Sequence, residues 1–217
     1  FASFIDKNPG RVLEAMSGSG RLLIPLAQRG YTIDGVDYSP AMLARCNARC
    51  ATFQLTPELY EQSLEALALP HHYATVIIAL ASFQLICDRA QALQALKNIH
   101  AHMLEHGSLL IDIFMPDITN DSSSVSIIPV NKEAQIKLTR KYTFDHTKQI
   151  AQALCTYELI VNGEVQKTEE EILQLTWYSD EQWAELLAQA GFKIIKIYDN
   201  PFGQNEISRV IYAQKIS

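Results

Sequence analysis

Apolar positions in the first half of the chain fall by turns into short unbroken runs and longer stretches of helical period. Residues 11–15 form a short strand pattern that runs into Ser17-Gly-Ser-Gly20. Residues 21–29 put Leu22, Leu23, Leu26 and Ala27 on one helix face, with Gly30 placed to end the helix. Pro25 falls early enough in it that the missing N–H costs little. Residues 31–36 read as a second strand, and Ser39-Pro40 as the cap and first position of a helix to about Cys50. A third, short strand is expected at residues 58–60. Residues 73–79 are largely apolar on both faces, as a strand in the middle of a parallel sheet is, and residues 108–114 read as another buried strand. Between those two, residues 89–104 predict a helix with Asp88 as N-cap.

The pattern changes after residue 117. Residues 134–177 hold three strand-like runs separated by Asp145-His-Thr-Lys148 and by Asn162-Gly163, the latter a hairpin signal. An antiparallel meander inserted after the fifth parallel strand accounts for this. Ser179-Asp-Glu-Gln182 then starts a helix that stops at Gly191. Residues 192–198 and 207–213 close the chain as two strands joined by the loop 199–205. The expected fold is α/β: a Rossmann-like, mostly parallel, seven-stranded sheet with a terminal antiparallel strand, plus the inserted meander. The expected division is 1–117 as the core, 118–178 as the meander, serving as lid or dimer contact, and 179–217 completing the core.

Composition narrows the function. Of 217 residues, 48% are hydrophobic and 19% charged, enough to bury a sizeable core. A net charge of −6 disfavours a general grip on nucleic-acid phosphates. The longest apolar stretch, residues 74–86, is too short and too interrupted to span a bilayer. Cys46, Cys50, Cys87 and Cys155 form no C-x-x-C pair and have no histidine at zinc-ligand spacing, so no metal site is expected. Buried thiols and the absence of a signal segment point to the cytoplasm. The chain opens on Phe1 rather than methionine, which is compatible with a fragment or a processed product.

The chemistry concentrates between Glu14 and Asp37. Gly18 and Gly20, at a strand-to-helix turn, let a ligand approach the backbone without a Cβ in the way. Asp37, at the end of the next strand, can accept hydrogen bonds from both hydroxyls of a ribose. The third glycine of a dinucleotide fingerprint would stand at position 23, which is Leu23. Glu14 would repel a diphosphate and tolerate a cationic amino-acid group. A nucleoside without phosphates follows, which sets an NAD(P)-dependent oxidoreductase aside.

Glu14-Ala-Met-Ser-Gly-Ser-Gly20, Gly35-Val-Asp-Tyr-Ser-Pro-Ala-Met-Leu43, Leu104-Glu-His-Gly-Ser-Leu-Leu110 and the turn Ala190-Gly-Phe192 resemble, in order, the motifs of class I S-adenosylmethionine (SAM)-dependent methyltransferases of the small-molecule type. The resemblance implies SAM as cofactor. Turn 17–20, with Ser17, Gly18 and Gly20, would pass beneath the methionine part, and Glu14 would contact that part directly or through water. Asp37 would hold the ribose, Tyr38 and Met42 would flank the adenine, and Ser63 with the Leu64 backbone would meet the adenine edge. Leu80 begins the segment where donor and acceptor come face to face. The sequence departs from the family at Met16, which replaces the first glycine of the loop, and at Ser63, where an acid is common.

Phe83, Gln84, Asp145 and Tyr178 are the candidates for lining the acceptor pocket, and no residue is assigned as a catalytic base. The expected activity is methyl transfer to a small-molecule acceptor, with no membrane partner, nucleic acid disfavoured and a homodimer allowed for. The rival readings are a non-catalytic SAM-binding module and a methyltransferase acting on nucleic acid.

Overall fold

The computed structural model describes residues 1–115, 122–199 and 208–216. The chain divides into two compact units, Phe1–Met115 with Tyr178–Ser217, and Pro116–Trp177.

The first unit is built on a seven-stranded sheet. Its strands in chain order are β1 (Val12–Ala15), β2 (Ile33–Asp37), β3 (Leu59–Glu61), β4 (Tyr73–Ile78) and β5 (Met103–Phe114). The last two, β10 (Phe192–Asp199) and β11 (Ser208–Lys215), follow the inserted unit. The spatial order is β10-β11-β5-β4-β1-β2-β3. β3, β2, β1, β4 and β5 are parallel, and β11 runs antiparallel between β5 and β10. This is the expected Rossmann-like sheet with its terminal antiparallel strand. The expected loop 199–205 lies mostly outside the described residues, as does position 207.

Alternation along each strand sorts the core onto two faces. Leu13, Ala15, Val76, Ile78, Leu109, Ile111, Ile113, Ile211 and Ala213 pack on one side with α4 (Arg89–Ala101) and α5 (Asp180–Gln189). Val12, Ile77, Leu110 and Val210 pack on the other, with Leu23, Ile24 and Leu26 of α2 (Leu23–Gln28) and Cys46 and Cys50 of α3 (Pro40–Thr52). A four-residue helix, α1 (Ala2–Ile5), adds Ile5 to that second face; the sequence reading did not anticipate it.

The helix caps follow the sequence. Ser39 accepts from the Met42 N–H, Asp88 from the Gln91 N–H, and Ser179 with Gln182 forms a reciprocal capping box. Helix boundaries shift by a few residues, furthest at the end of α4. α4 stops at Ala101 rather than Leu104, because Met103 already pairs with Tyr73 at the start of β4. The register of β5 then shifts before Ser108 pairs with Thr75, with His106 left-handed (φ 60°) in the irregular stretch.

The second unit is a four-stranded antiparallel sheet in the order β6-β7-β8-β9. Three strands, β7 (Ala134–Asp145), β8 (Ile150–Val161) and β9 (Glu164–Thr176), are the expected meander. β6 (Ser122–Pro129) was not expected. It is a serine-rich edge strand, exposed along nearly its whole length, and it is defined by main-chain pairing with β7 rather than by an inward apolar face.

Candidate active site

In an open α/β sheet the ligand crevice lies beyond the carboxyl ends of the strands where the chain's winding reverses. Here that place is β1, with β2 on one side and β4 on the other.

β1 leaves the sheet through Met16 (φ 59°), Ser17, Gly18 (φ 52°), Ser19 and Gly20 (φ 74°). Four hydrogen bonds fasten this turn. Ser17 N donates to Val36 O at 3.0 Å, and Gly20 N to Ser17 O at 2.9 Å. Gly18 N donates to Asp37 Oδ2 at 2.7 Å, and the Arg49 guanidinium to Ser19 O at 2.6 Å. Asp37 uses its other oxygen to accept from Ser39 N at 2.9 Å. One carboxylate thus ties the glycine turn of β1 to the start of α3, and each of its oxygens keeps lone-pair capacity for a further donor.

The two glycines serve different ends. A Cβ on Gly18 would meet nothing within 4 Å, so that residue borders open space. A Cβ on Gly20 would stand 2.6 Å from Cys46 Sγ, so Gly20 is required by the packing of α3. Met16 accepts the left-handed conformation usually left to glycine, and its side chain packs against the α4/α5 face of the core.

Two buried polar atoms, one on β1 and one in the turn, have no hydrogen-bond partner: Glu14 Oε2 and Ser17 Oγ. Glu14 is 4% exposed, and burial pushes its carboxyl up to about 8, against the stabilising N–H of Leu23 and with Asp37 adding to the rise. The orphaned oxygens, the open space over Gly18 and the acid at the end of β2 fit a nucleoside bearing a cationic amino-acid group, which is what SAM is.

Around this centre, Tyr38 (70% exposed) and Met42 (48% exposed) offer apolar surface beside Asp37. The segment after β3 is stapled from two sides. The Gln62 amide exchanges hydrogen bonds with both main-chain groups of Ala68, and Asn98 donates to the carbonyls of Leu64 and Glu65. Ser63 caps the short 3-10 turn there and Leu64 is buried. At the end of β4, Leu80 and Ala81 are both left-handed (φ 58° and 57°), and Leu80 N donates to Asp112 Oδ2 of β5 at 2.9 Å. Asp112, Arg49, Gln62 and Asn98 escaped the sequence reading. Of these only Asp112 carried a signal, a lone charge within an apolar strand.

The acceptor candidates are differently placed. Gln84 Nε2 donates to Phe114 O at 2.9 Å and Gln84 Oε1 accepts from Phe114 N at 2.6 Å, so its amide brackets one residue at the end of β5. Phe83 is fully buried, 5.8 Å from the Trp183 ring, and Tyr178 stacks edge-on to the same ring at 5.0 Å. These three support the wall of the first unit. Asp145 belongs to the second unit, where it accepts from Thr147 N and Lys148 N and closes its own turn. Among the described residues no cluster of His, Cys, Asp and Glu is placed to hold a metal ion, and no helix is long and apolar enough to cross a membrane.

Residues 12–107 match the family described as a methyltransferase domain. The chain is similar to the "Putative methyltransferase GWCH70_2453" of Geobacillus sp. (strain WCH70), 25% identical over 187 residues, 86% of this chain and 75% of that protein. In fold it is similar to an S-adenosylmethionine-dependent methyltransferase from Clostridium acetobutylicum (TM-score 0.83, 17% identity, covering 100% of this chain and 89% of that one). It is equally similar to SAM-bound CalS10, an amino pentose methyltransferase from Micromonospora echinaspora (TM-score 0.83, 15% identity, 99% and 89% covered). The family match spans less than half of the chain, and the likeness to the solved structures is one of fold: that of SAM-dependent methyltransferases.

Proposed function

We propose that this protein transfers the methyl group of SAM to a small-molecule acceptor at the carboxyl ends of β1, β2 and β4. Bound SAM supplies a methyl group on a positively charged sulfur, ready for in-line displacement. The observation that carries the reading is the joint between Asp37 and Gly18, with the unpartnered oxygens of Glu14 on β1 and Ser17 in the turn.

In this reading Asp37 accepts the ribose hydroxyls while remaining bonded to Gly18 and Ser39. Tyr38 and Met42 cover the adenine, and the Ser63–Leu64 segment meets its edge. Glu14, Ser17, Gly18 and Gly20 form the bed of the methionine part, with Gly20 acting through the close approach of α3. Leu80, held by Asp112, borders the acceptor side. Holding donor and acceptor in line can account for roughly 7–11 kcal/mol of the barrier. A base is needed only where the acceptor arrives protonated or as a hydroxyl. Phe83, Gln84 and Tyr178 shape the pocket from behind, and Asp145 is kept as an acceptor contact offered by the second unit.

We assign the second unit the part of a lid or a dimer contact. The edge strand β6 exposes Val125, Ile127 and Ile128, the kind of unpaired apolar edge that folded proteins cover. The free thiols suit a reducing, cytoplasmic setting. Two measurements test the whole: calorimetric binding of SAM, and transfer of radiolabel from SAM to a panel of small amines, amino sugars and hydroxylated metabolites. Micromolar binding and label in one class of acceptor are expected. Absence of SAM binding would overturn the proposal.

A further inference from the structure

Glu14 is a carboxyl group in an unusual position. It lies on the strand face shared with Val12, under α2 and α3, and its register neighbours are Gly35 on β2 and Ile77 on β4. Neither neighbour offers a charge. From α2 it receives the main-chain N–H of Leu23, and from β2 the only facing charge is Asp37, of like sign. From α3 it interacts with Cys46, a buried thiol pushed up to about 12 and therefore neutral. The Arg49 guanidinium beyond it is engaged with the Ser19 carbonyl. Among the described residues no ion pair reaches Glu14, and Oε2 has no donor at all. An ionised carboxylate so placed has lost its water and gained one main-chain N–H but no cation in return, and the protonated form is favoured.

We propose that Glu14 is uncharged in the cofactor-free protein and gives up its proton to solvent when the α-ammonium group of the cofactor settles beside it, so that cofactor binding and proton release are one event. The inference rests on the reading of this turn as the SAM site. The exchange is balanced: the O–H bond of the Glu14 carboxyl breaks, its proton passes to buffer, and the carboxylate pairs with the incoming cation. The turn then discriminates by charge at the amino-acid end, since a nucleoside without the ammonium leaves Glu14 protonated.

Calorimetry of the intact chain at pH 6.5, in two buffers of different ionisation enthalpy, counts the protons released. The ligand's own amine, with a pKa of about 8, is already protonated there. Binding of S-adenosylhomocysteine or SAM is expected to release about one proton, and 5′-methylthioadenosine, which lacks the amino-acid part, about none. Affinity for S-adenosylhomocysteine should rise about tenfold per pH unit between 6 and 7.5. Glu14→Gln should bind S-adenosylhomocysteine with no proton release. Difference infrared spectra of the wild type should lose a protonated-carboxyl band on binding, which keeps the test open if the variant does not fold. Binding without proton release, equal release in Glu14→Gln, or release with SAM but not with S-adenosylhomocysteine would overturn the inference while leaving the SAM site standing. No binding of any of the three ligands would overturn both.

Discussion

The Asp37 carboxylate accepts the main-chain N–H of Gly18 at 2.7 Å, across the gap between two neighbouring strands. The acid expected to hold a sugar is therefore also the clasp of the turn expected to lie beneath the ligand. On the proposed function, shape and affinity would be coupled through one side chain.

Asp37→Ala should weaken SAM binding by 10-fold or more, since charge-assisted hydrogen bonds of about 1.5–3 kcal/mol each are lost. It should also lower the melting temperature of the cofactor-free protein, because Gly18 N and Ser39 N lose their acceptor. Calorimetry and thermal unfolding together separate the two effects. Unchanged SAM affinity in a folded variant would remove Asp37 from the site.

Gly18→Ala and Gly20→Ala should differ in kind. At Gly18 only the left-handed backbone objects, at roughly 1–2 kcal/mol, and the damage should appear in SAM affinity. At Gly20 the new methyl collides with Cys46 Sγ, and overpacking adds about 1–3 kcal/mol of instability. Urea unfolding should show Cys46→Ala partly rescuing Gly20→Ala, with the double variant less damaged than the sum of the singles.

Gln84→Leu should cost about 2–4 kcal/mol in chemical denaturation, because the Phe114 N–H and C=O each lose a buried partner. SAM affinity should change little by comparison. A variant as stable as the wild type would show that the clamp on β5 is dispensable.

At the amino ends of the strands, Arg11 grips Asp34 with two hydrogen bonds of 2.6 and 2.9 Å, and Tyr73 donates to the same carboxylate at 3.0 Å. Asp34 is 2% exposed. Arg11→Met should destabilise the protein by about 3 kcal/mol, the low end for breaking a buried pair, since Arg11 is partly exposed. SAM affinity should be unaffected, because the pair sits at the opposite end of the strands from the glycine turn.

Glu14 should make the cofactor-free protein less stable as pH rises. Below its ordinary value near 4.5 the group is protonated folded or unfolded and contributes nothing. Above that the unfolded chain ionises freely while the folded one holds its proton, so stability falls until about pH 8, where the folded form ionises too. Urea midpoints between pH 5 and 8 should therefore decline less steeply in Glu14→Gln than in the wild type.

Much of the first unit was legible along the chain. β4 could be read because its residues are largely apolar on both faces, and α3 because Ser39-Pro40 marks its start. β6 was illegible for the opposite reason: its serines and exposed valine and isoleucines carry no inward period, and only β7 makes it a strand. The end of α4 was misjudged because the pairing of Met103 with Tyr73 across the sheet outweighs the local helical pattern.

The site divides along the same line. Neighbours in sequence determine the glycine turn, the acid at the end of β2 and the alternation of strands with helices, because backbone freedom, capping and side-chain period are local properties. Tertiary structure decided which glycine faces space and which faces Cys46, that Gln84 is occupied by Phe114, and that Glu14 is buried without a cation. Those outcomes depend on which groups are brought together and which lose their water, and neither is encoded within any one stretch of chain.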